Sequence, residues 1–125
     1  MRILLDTHAL IWWYAGIELD DTTIAQIADP ENLVLVSAVS TWEMRIKERI
    51  GKLSFPTEMF DLLSEDSFEQ LPISWEDSWT AGTLPNRHRD PFDRMLIAQA
   101  QNHKLTLFSR DRAFSEYDGF QLQTV

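Results

Sequence analysis

Cysteine is absent from the 125 residues. That excludes disulfides, thiolate metal sites, iron–sulfur clusters and cysteine nucleophiles, and leaves histidine and the carboxylates as ligands and acid–base groups. The redox compartment stays open, with cytoplasm as the expected location. Glycine is scarce: the four residues stand alone at 16, 51, 82 and 119, so the nucleotide-cradling patterns G-x-G-x-x-G and G-K-[ST] cannot be written. No apolar run approaches the roughly 20 residues that span a bilayer. Asp6 also breaks the opening Met1-Arg2-Ile3-Leu4-Leu5 too early for a signal peptide, so a soluble chain without membrane association is expected. At 44% hydrophobic and 25% charged residues, with no repeat or linker, residues 1–125 read as one globular domain.

Positive charge is scarce as well. Eleven Lys and Arg face 20 Asp and Glu, a net charge of −9, which argues against a general polyanion binder. Its distribution says more than its sum. Residues 1–44 hold one basic and seven acidic groups, and residues 53–86 hold seven acidic and no basic groups. Between and after them lie two basic islands: Arg45, Lys47, Arg49 and Lys52 in residues 45–52, and six basic against three acidic groups in residues 87–112. Taken singly, each island is an ordinary solvated face.

Short apolar runs at 2–5, 33–36 and 105–108 have the length of buried strands, with weaker candidates at 68–71 and 120–122. Helical patterns fill the gaps at 7–15, 22–28, 40–50, after Pro56, 75–84 and 91–102. Strands alternating with helices predict βαβ units, hence a mostly parallel sheet with helices on both faces. Ligands of such sheets bind beyond the carboxyl ends of the strands. Asp6 ends the first strand there, and Asp111 follows the third clear strand by a short step.

Each acid at these positions has an innocent reading. Asp6 and Asp111 fit helix caps, and Asp90-Pro91-Phe92-Asp93 fits an N-cap, a proline at the first helical position and an acid in the first turn. Ser40-Thr41-Trp42-Glu43 fits a capping box, and Glu43 with Lys47 a favourable i, i+4 pair. Convergence tells against caps alone, because four acids on one side of a sheet repel one another unless a cation intervenes. A pocket of Asp6, Glu43, Asp93 and Asp111 offers the oxygen ligands that Mg²⁺ and Mn²⁺ prefer. Such ions activate water and offset charge on a phosphodiester in nucleases. The basic islands then flank the pocket: Arg45, Lys47 and Arg49 follow Glu43, while Arg87, Arg89 and Arg94 surround Asp90 and Asp93. Arg45, Arg89 and Arg94 are the expected contacts to substrate phosphate.

Four segments together carry a family likeness: Ile3-Leu4-Leu5-Asp6-Thr7-His8; Ser37-Ala38-Val39-Ser40-Thr41-Trp42-Glu43; His88-Arg89-Asp90-Pro91-Phe92-Asp93-Arg94-Met95-Leu96-Ile97-Ala98-Gln99-Ala100; and Leu107-Phe108-Ser109-Arg110-Asp111. In this order, over nearly the whole chain, they resemble the PIN-domain family, and within it the VapC-type toxins of type II toxin–antitoxin modules. The resemblance implies a three-layer α/β/α fold and a Mg²⁺- or Mn²⁺-dependent endoribonuclease. Asp6, Glu43, Asp93 and Asp111 match the family's acidic quartet, with Asp6 and Asp93 as direct metal ligands. Glu43 would complete the site or help activate water, and Asp111 would bind a second ion or act through water. Asp90 rivals Asp93 as the ligand of the D-P-F-D-R block, and Thr7 would hydrogen-bond a ligand or a carboxylate.

The resemblance also implies a cognate antitoxin, a homodimer and a toxin–antitoxin hetero-oligomer, with tRNA, rRNA or mRNA as substrate. An antitoxin could place an Arg or Lys in the acidic pocket. Three successive aromatics, Trp12, Trp13 and Tyr14, cannot share one core stripe, which leaves some of them for a partner. Trp75 and Trp79, at i, i+4, read as core packing. Phosphoacceptor and dehalogenase-type readings lack their paired acids, since His stands at position 8. Three scattered histidines form no zinc motif, and His88 is at most a phosphate contact. The rival from another class is a catalytically silent PIN-like module that binds a protein or RNA without cutting it.

Overall fold

Five parallel strands form the frame. The computed structural model describes all 125 residues, in the order β1 (Arg2–Leu5), α1 (Thr7–Ala15), α2 (Asp21–Ala28), β2 (Leu33–Ser37), α3 (Ala38–Arg49), α4 (Met59–Glu65), β3 (Glu69–Leu71), α5 (Trp75–Thr83), α6 (Pro91–His103), β4 (Thr106–Ser109) and β5 (Gln121–Thr124), with a 3₁₀ turn at Arg112–Glu116 before the last strand. The sheet order is β3-β2-β1-β4-β5, and every neighbouring pair is parallel. All strand carboxyl ends therefore lie on one edge, with β1 in the middle.

Alternation along the strands builds the two core layers. Ile3, Leu5, Val34, Val36 and Phe108 face one side and pack with Leu10 and Ile11 of α1, Ile27 of α2, Met44 of α3 and Met59 of α4. Leu4, Leu35 and Leu107 face the other and pack with Leu96, Ile97 and Ala100 of α6. Nearly all of these are below a tenth exposed, and each buried aliphatic side chain contributes about 1.5–3 kcal/mol of transfer free energy. The result is the expected α/β/α sandwich. No helix is long and apolar enough to cross a membrane.

Local chemistry sets the boundaries. Gly16 ends α1 in a left-handed conformation at φ 69°, its N–H bonded to Trp12 O, a backbone state that glycine adopts without steric penalty. Ser37 caps α3 by accepting from Val39 N, so the helix starts two residues earlier than its apolar pattern predicts. Ser40 consequently lies inside the helix, and the capping-box reading of Ser40 and Glu43 does not hold.

Trp75 and Trp79 are also not core residues: they are 96% and 80% exposed. The helix instead turns Asp77, on the opposite face, fully inward. There Asp77 accepts from Asn102 Nδ2 at 3.0 Å and Gln99 Nε2 at 3.3 Å, and pairs with His103 Nε2 at 3.2 Å. Polar partners on α6 outcompete the tryptophans for the inner face, because a buried carboxylate is tolerated only where hydrogen bonds replace its water. Trp12, Trp13 and Tyr14 are half-buried within the chain. Trp13 and Tyr14 pack on Phe68, and Trp12 lies under the Arg110 guanidinium, 4.3 Å from the ring centroid.

Candidate metal centre

Strand register brings the first and last acids together. Leu5 pairs with Phe108, so the next residues, Asp6 and Ser109, stand side by side at the carboxyl edge. Ser109 Oγ donates to Asp6 Oδ2 at 2.5 Å and accepts from the backbone N–H of Asp111 at 3.0 Å. Asp6 is buried, and its Oδ1 accepts Ala9 N at 2.8 Å as the N-cap of α1. Burial pushes the Asp6 carboxyl above its ordinary range, the bonds from Ser109 and Ala9 oppose that rise, and the charge of Glu43 adds to it.

Glu43 reaches the same edge from within α3 and is buried. Thr7 Oγ1 donates to its Oε1 at 2.5 Å, and Lys47, one turn along, donates to its Oε2. The predicted i, i+4 pair is thus present, and Thr7 holds a carboxylate as expected. Lys47 also lies 3.6 Å from Asp90 Oδ2. Burial draws the Lys47 pKa down, but the hydrogen bond and charge of Glu43, with Asp90 and Asp93 behind, outweigh it and leave the ammonium firmly protonated.

Helix α6 contributes the remaining acids. Asp90 is its N-cap, with Oδ1 accepting from Phe92 N at 2.9 Å and Asp93 N at 3.1 Å. Asp93, in the first turn, has a side chain only 19% exposed and bonds His88 Nε2 through Oδ2 at 2.6 Å. Burial above all raises the Asp93 carboxyl to about 6, and the charges of Asp90 and Glu43 push the same way against the His88 hydrogen bond. Asp111 caps the 3₁₀ turn, with Oδ1 accepting from Ala113 N at 2.9 Å.

The donor chemistry fits a hard or borderline divalent cation. Ligand atoms of His88, Asp93 and Asp111 lie within 4.8 Å of one another, and Asp6 adjoins them through Ser109. Oxygen with one imidazole nitrogen suits Mg²⁺ and, better, Mn²⁺. Carboxyls whose pKa values are raised chiefly by burial, as at Asp6 and Asp93, are a high-energy arrangement that a cation would relieve.

Of the expected quartet, Asp93 and Asp111 share one ligand cluster with His88, and Asp6 is linked to the Asp111 backbone through Ser109. Glu43 is close enough for its charge to act on Asp6 and Asp93, and Asp90 is a cap whose second oxygen faces Lys47. The three arginines behave differently. Arg45 is exposed and pairs with Glu48 at 3.1 Å, and Arg89 is exposed. Arg94 is spent inside the protein: its two terminal nitrogens donate to the carbonyls of Ala81, Leu84, Pro85 and His88 and to the Tyr117 hydroxyl. Arg94 therefore braces the segment before α6 instead of facing substrate. Sequence reasoning missed Ser109 and underrated His88. The only written signals are a serine two places before Asp111 and a histidine five before Asp93, neither of which tells where a side chain turns.

Comparisons with known proteins agree with this geometry. Ribonuclease VapC22 of Mycobacterium tuberculosis is 28% identical over 114 residues, covering 88% of this chain and 87% of the relative. Among solved structures, a chain of the DNA-bound VapBC from Salmonella typhimurium superposes with a TM-score of 0.75 at 14% identity, over 99% of this chain and 98% of that one. VapBC2 from Rickettsia felis, bound to a DNA fragment from its promoter, gives 0.70 at 13% identity over 99% and 98%. These two likenesses show the fold. The PIN domain model itself matches residues 3–120, and the chain, with its acids gathered at the carboxyl edge of a parallel sheet, belongs to the PIN domain family.

Proposed function

We propose that this chain is a metal-dependent endoribonuclease acting as the toxin of a type II toxin–antitoxin module. The observation that carries the proposal is the gathering of acids from four separate elements beyond the carboxyl ends of the strands: Asp93 and Asp111 come within 4.8 Å of each other and of His88, and the charge of Glu43 bears on both Asp6 and Asp93. The relative named Ribonuclease VapC22 supports an RNA substrate, and the VapBC context of the structural neighbours supports an antitoxin partner.

Asp6 and Asp93 would hold the ion, with Asp111 and His88 beside Asp93. When bound, Mg²⁺ or Mn²⁺ lowers the pKa of a coordinated water and offsets charge developing on a phosphodiester. The chain's own groups prepare the site. Thr7 and Lys47 fix both oxygens of Glu43, Ser109 links Asp6 to the Asp111 backbone, and His88 orients Asp93. In the hydrolysis, water oxygen bonds to phosphorus, the P–O bond to the departing ribose oxygen breaks, and that oxygen takes up a proton. Exposed Arg45 and Arg89 are left to guide the RNA backbone, since Arg94 is engaged elsewhere. With a net charge of −9, nonspecific RNA affinity is low, and selection rests on RNA shape and single-stranded loops.

The test is cleavage of a panel of total RNA and tRNA by partner-free protein with Mg²⁺, Mn²⁺ or EDTA, beside Asp6→Asn and Asp93→Asn. Discrete, metal-dependent cuts lost in both variants are expected. Folded wild type and variants that behave alike across the panel would leave the acids as helix caps in a binding module.

A further inference from the structure

Two carboxylate oxygens converge on the Lys47 ammonium: Glu43 Oε2, in direct contact, and Asp90 Oδ2 at 3.6 Å. The other oxygen of each acid is already committed. Glu43 Oε1 accepts the Thr7 hydroxyl, and Asp90 Oδ1 accepts the backbone N–H groups of Phe92 and Asp93. The Phe92 ring closes a further side, its centroid 5.6 Å from Nζ. A pair of acids, each with one oxygen fixed and the other turned to a common point, is the arrangement that surrounds a bound cation. Here the cation is tethered to the chain.

Beyond the two acids that Lys47 contacts, no ammonium touches the cluster, although the charge of Asp93 is felt at Lys47. Asp93 and Asp111 make no ion pair with Lys or Arg, yet their oxygens and His88 lie within 4.8 Å of one another. Two-metal nucleases place one ion at each end of such a pocket to clamp the attacking and leaving oxygens. We propose that Lys47 occupies the second of two cation positions, so that the chain takes one divalent ion, at the Asp6–Asp93–Asp111 end. The inference rests on the metal-dependent reading above and narrows it. Lys47 is then a positioning residue: it fixes Glu43 and supplies a single positive charge where a second ion would bring two.

Titration of the partner-free full chain with Mn²⁺, followed by calorimetry and by electron paramagnetic resonance of the free ion, reads the stoichiometry directly. One Mn²⁺ per chain is expected for wild type and for Lys47→Arg, and two for Lys47→Met. Should Lys47→Met not fold by circular dichroism, Lys47→Gln, which still donates to Glu43 but without charge, carries the same expectation of two. Two ions on wild type would overturn the proposal, as would a single ion on a folded, neutral variant. No Mn²⁺ on wild type would remove the metal-dependent reading itself, an outcome distinct from a count of two.

Discussion

Replacing Asp93 by Asn stabilises the metal-free protein, and the gain depends on pH. Burial raises the Asp93 carboxyl from 3.8 to about 6 in the folded chain. A raised acid pKa means the folded state binds the proton more tightly than the unfolded state, so stability falls as pH rises between the two values and stays low above the upper one. At about 1.4 kcal/mol per pKa unit, the full penalty is about 3 kcal/mol. Because the side chain is 19% exposed, solvent screening trims this to about 2 kcal/mol. Asn keeps the size and a hydrogen-bonding group for His88 but carries no charge. In EDTA at pH 7.5, Asp93→Asn should therefore unfold about 2 kcal/mol harder in urea, or melt about 5–8 °C higher. By pH 4.5 linkage leaves about a third of that gap. Mn²⁺ should then stabilise wild type but not the variant, narrowing or reversing the difference. Equal or lower stability of Asp93→Asn at pH 7.5, or a gap unchanged at pH 4.5, would refute the account of a strained, cation-seeking site.

Three further outcomes follow from the same geometry. Mn²⁺ affinity measured by calorimetry should weaken about tenfold from pH 7.5 to pH 5, because the ion must displace a proton held at Asp93 with a pKa of about 6; a flat profile would mean that Asp93 is not a ligand. Arg94→Ala, which strips donors from four carbonyls and the Tyr117 hydroxyl, should destabilise the fold by about 2–4 kcal/mol in urea, and a loss below about 0.5 kcal/mol would contradict the bracing role. Trp75→Ala and Trp79→Ala should change monomer stability by no more than about 0.5 kcal/mol, given their exposure of 96% and 80%, whereas a core role would cost several times that.

The sheet was legible because buried parallel strands leave unbroken apolar runs: Ile3-Leu4-Leu5, Val34-Leu35-Val36 and Leu107-Phe108 are all buried. The placement of Asp6, Asp90, Asp93 and Asp111 was legible for a related reason, since strand ends and helix starts are written in the sequence and the sheet's direction puts them on one edge, whereas Glu43 lies inside α3. Orientation within a helix was not. Alternation and i, i+4 spacing put Trp75 and Trp79 on one face but cannot say which way that face turns. The answer depends on Gln99, Asn102 and His103, more than twenty residues away, which draw Asp77 inward. Arg94 was misjudged likewise, because its acceptors are backbone carbonyls, and these have no signature in a sequence.

A capping role does not by itself exclude a ligand role for these acids. Asp6, Asp90 and Asp111 each give one oxygen, Oδ1, to backbone N–H groups at the start of a helix or 3₁₀ turn. For Asp6 and Asp90 the second oxygen is turned to other partners, Ser109 Oγ and the Lys47 ammonium. Capping fixes the carboxylate plane, and the partial positive charge of a helix start offsets part of the repulsion among the acids. The raised pKa values of Asp6 and Asp93, owed first to burial, mark a residual cost that a bound cation would relieve. A fold that places helix starts after parallel strands thus produces oriented, partly neutralised carboxylates as a by-product of its connectivity. Glu43 has no helix start to hold it, lying well inside α3, and it is the acid for which the chain supplies separate supports, the Thr7 hydroxyl and the Lys47 ammonium.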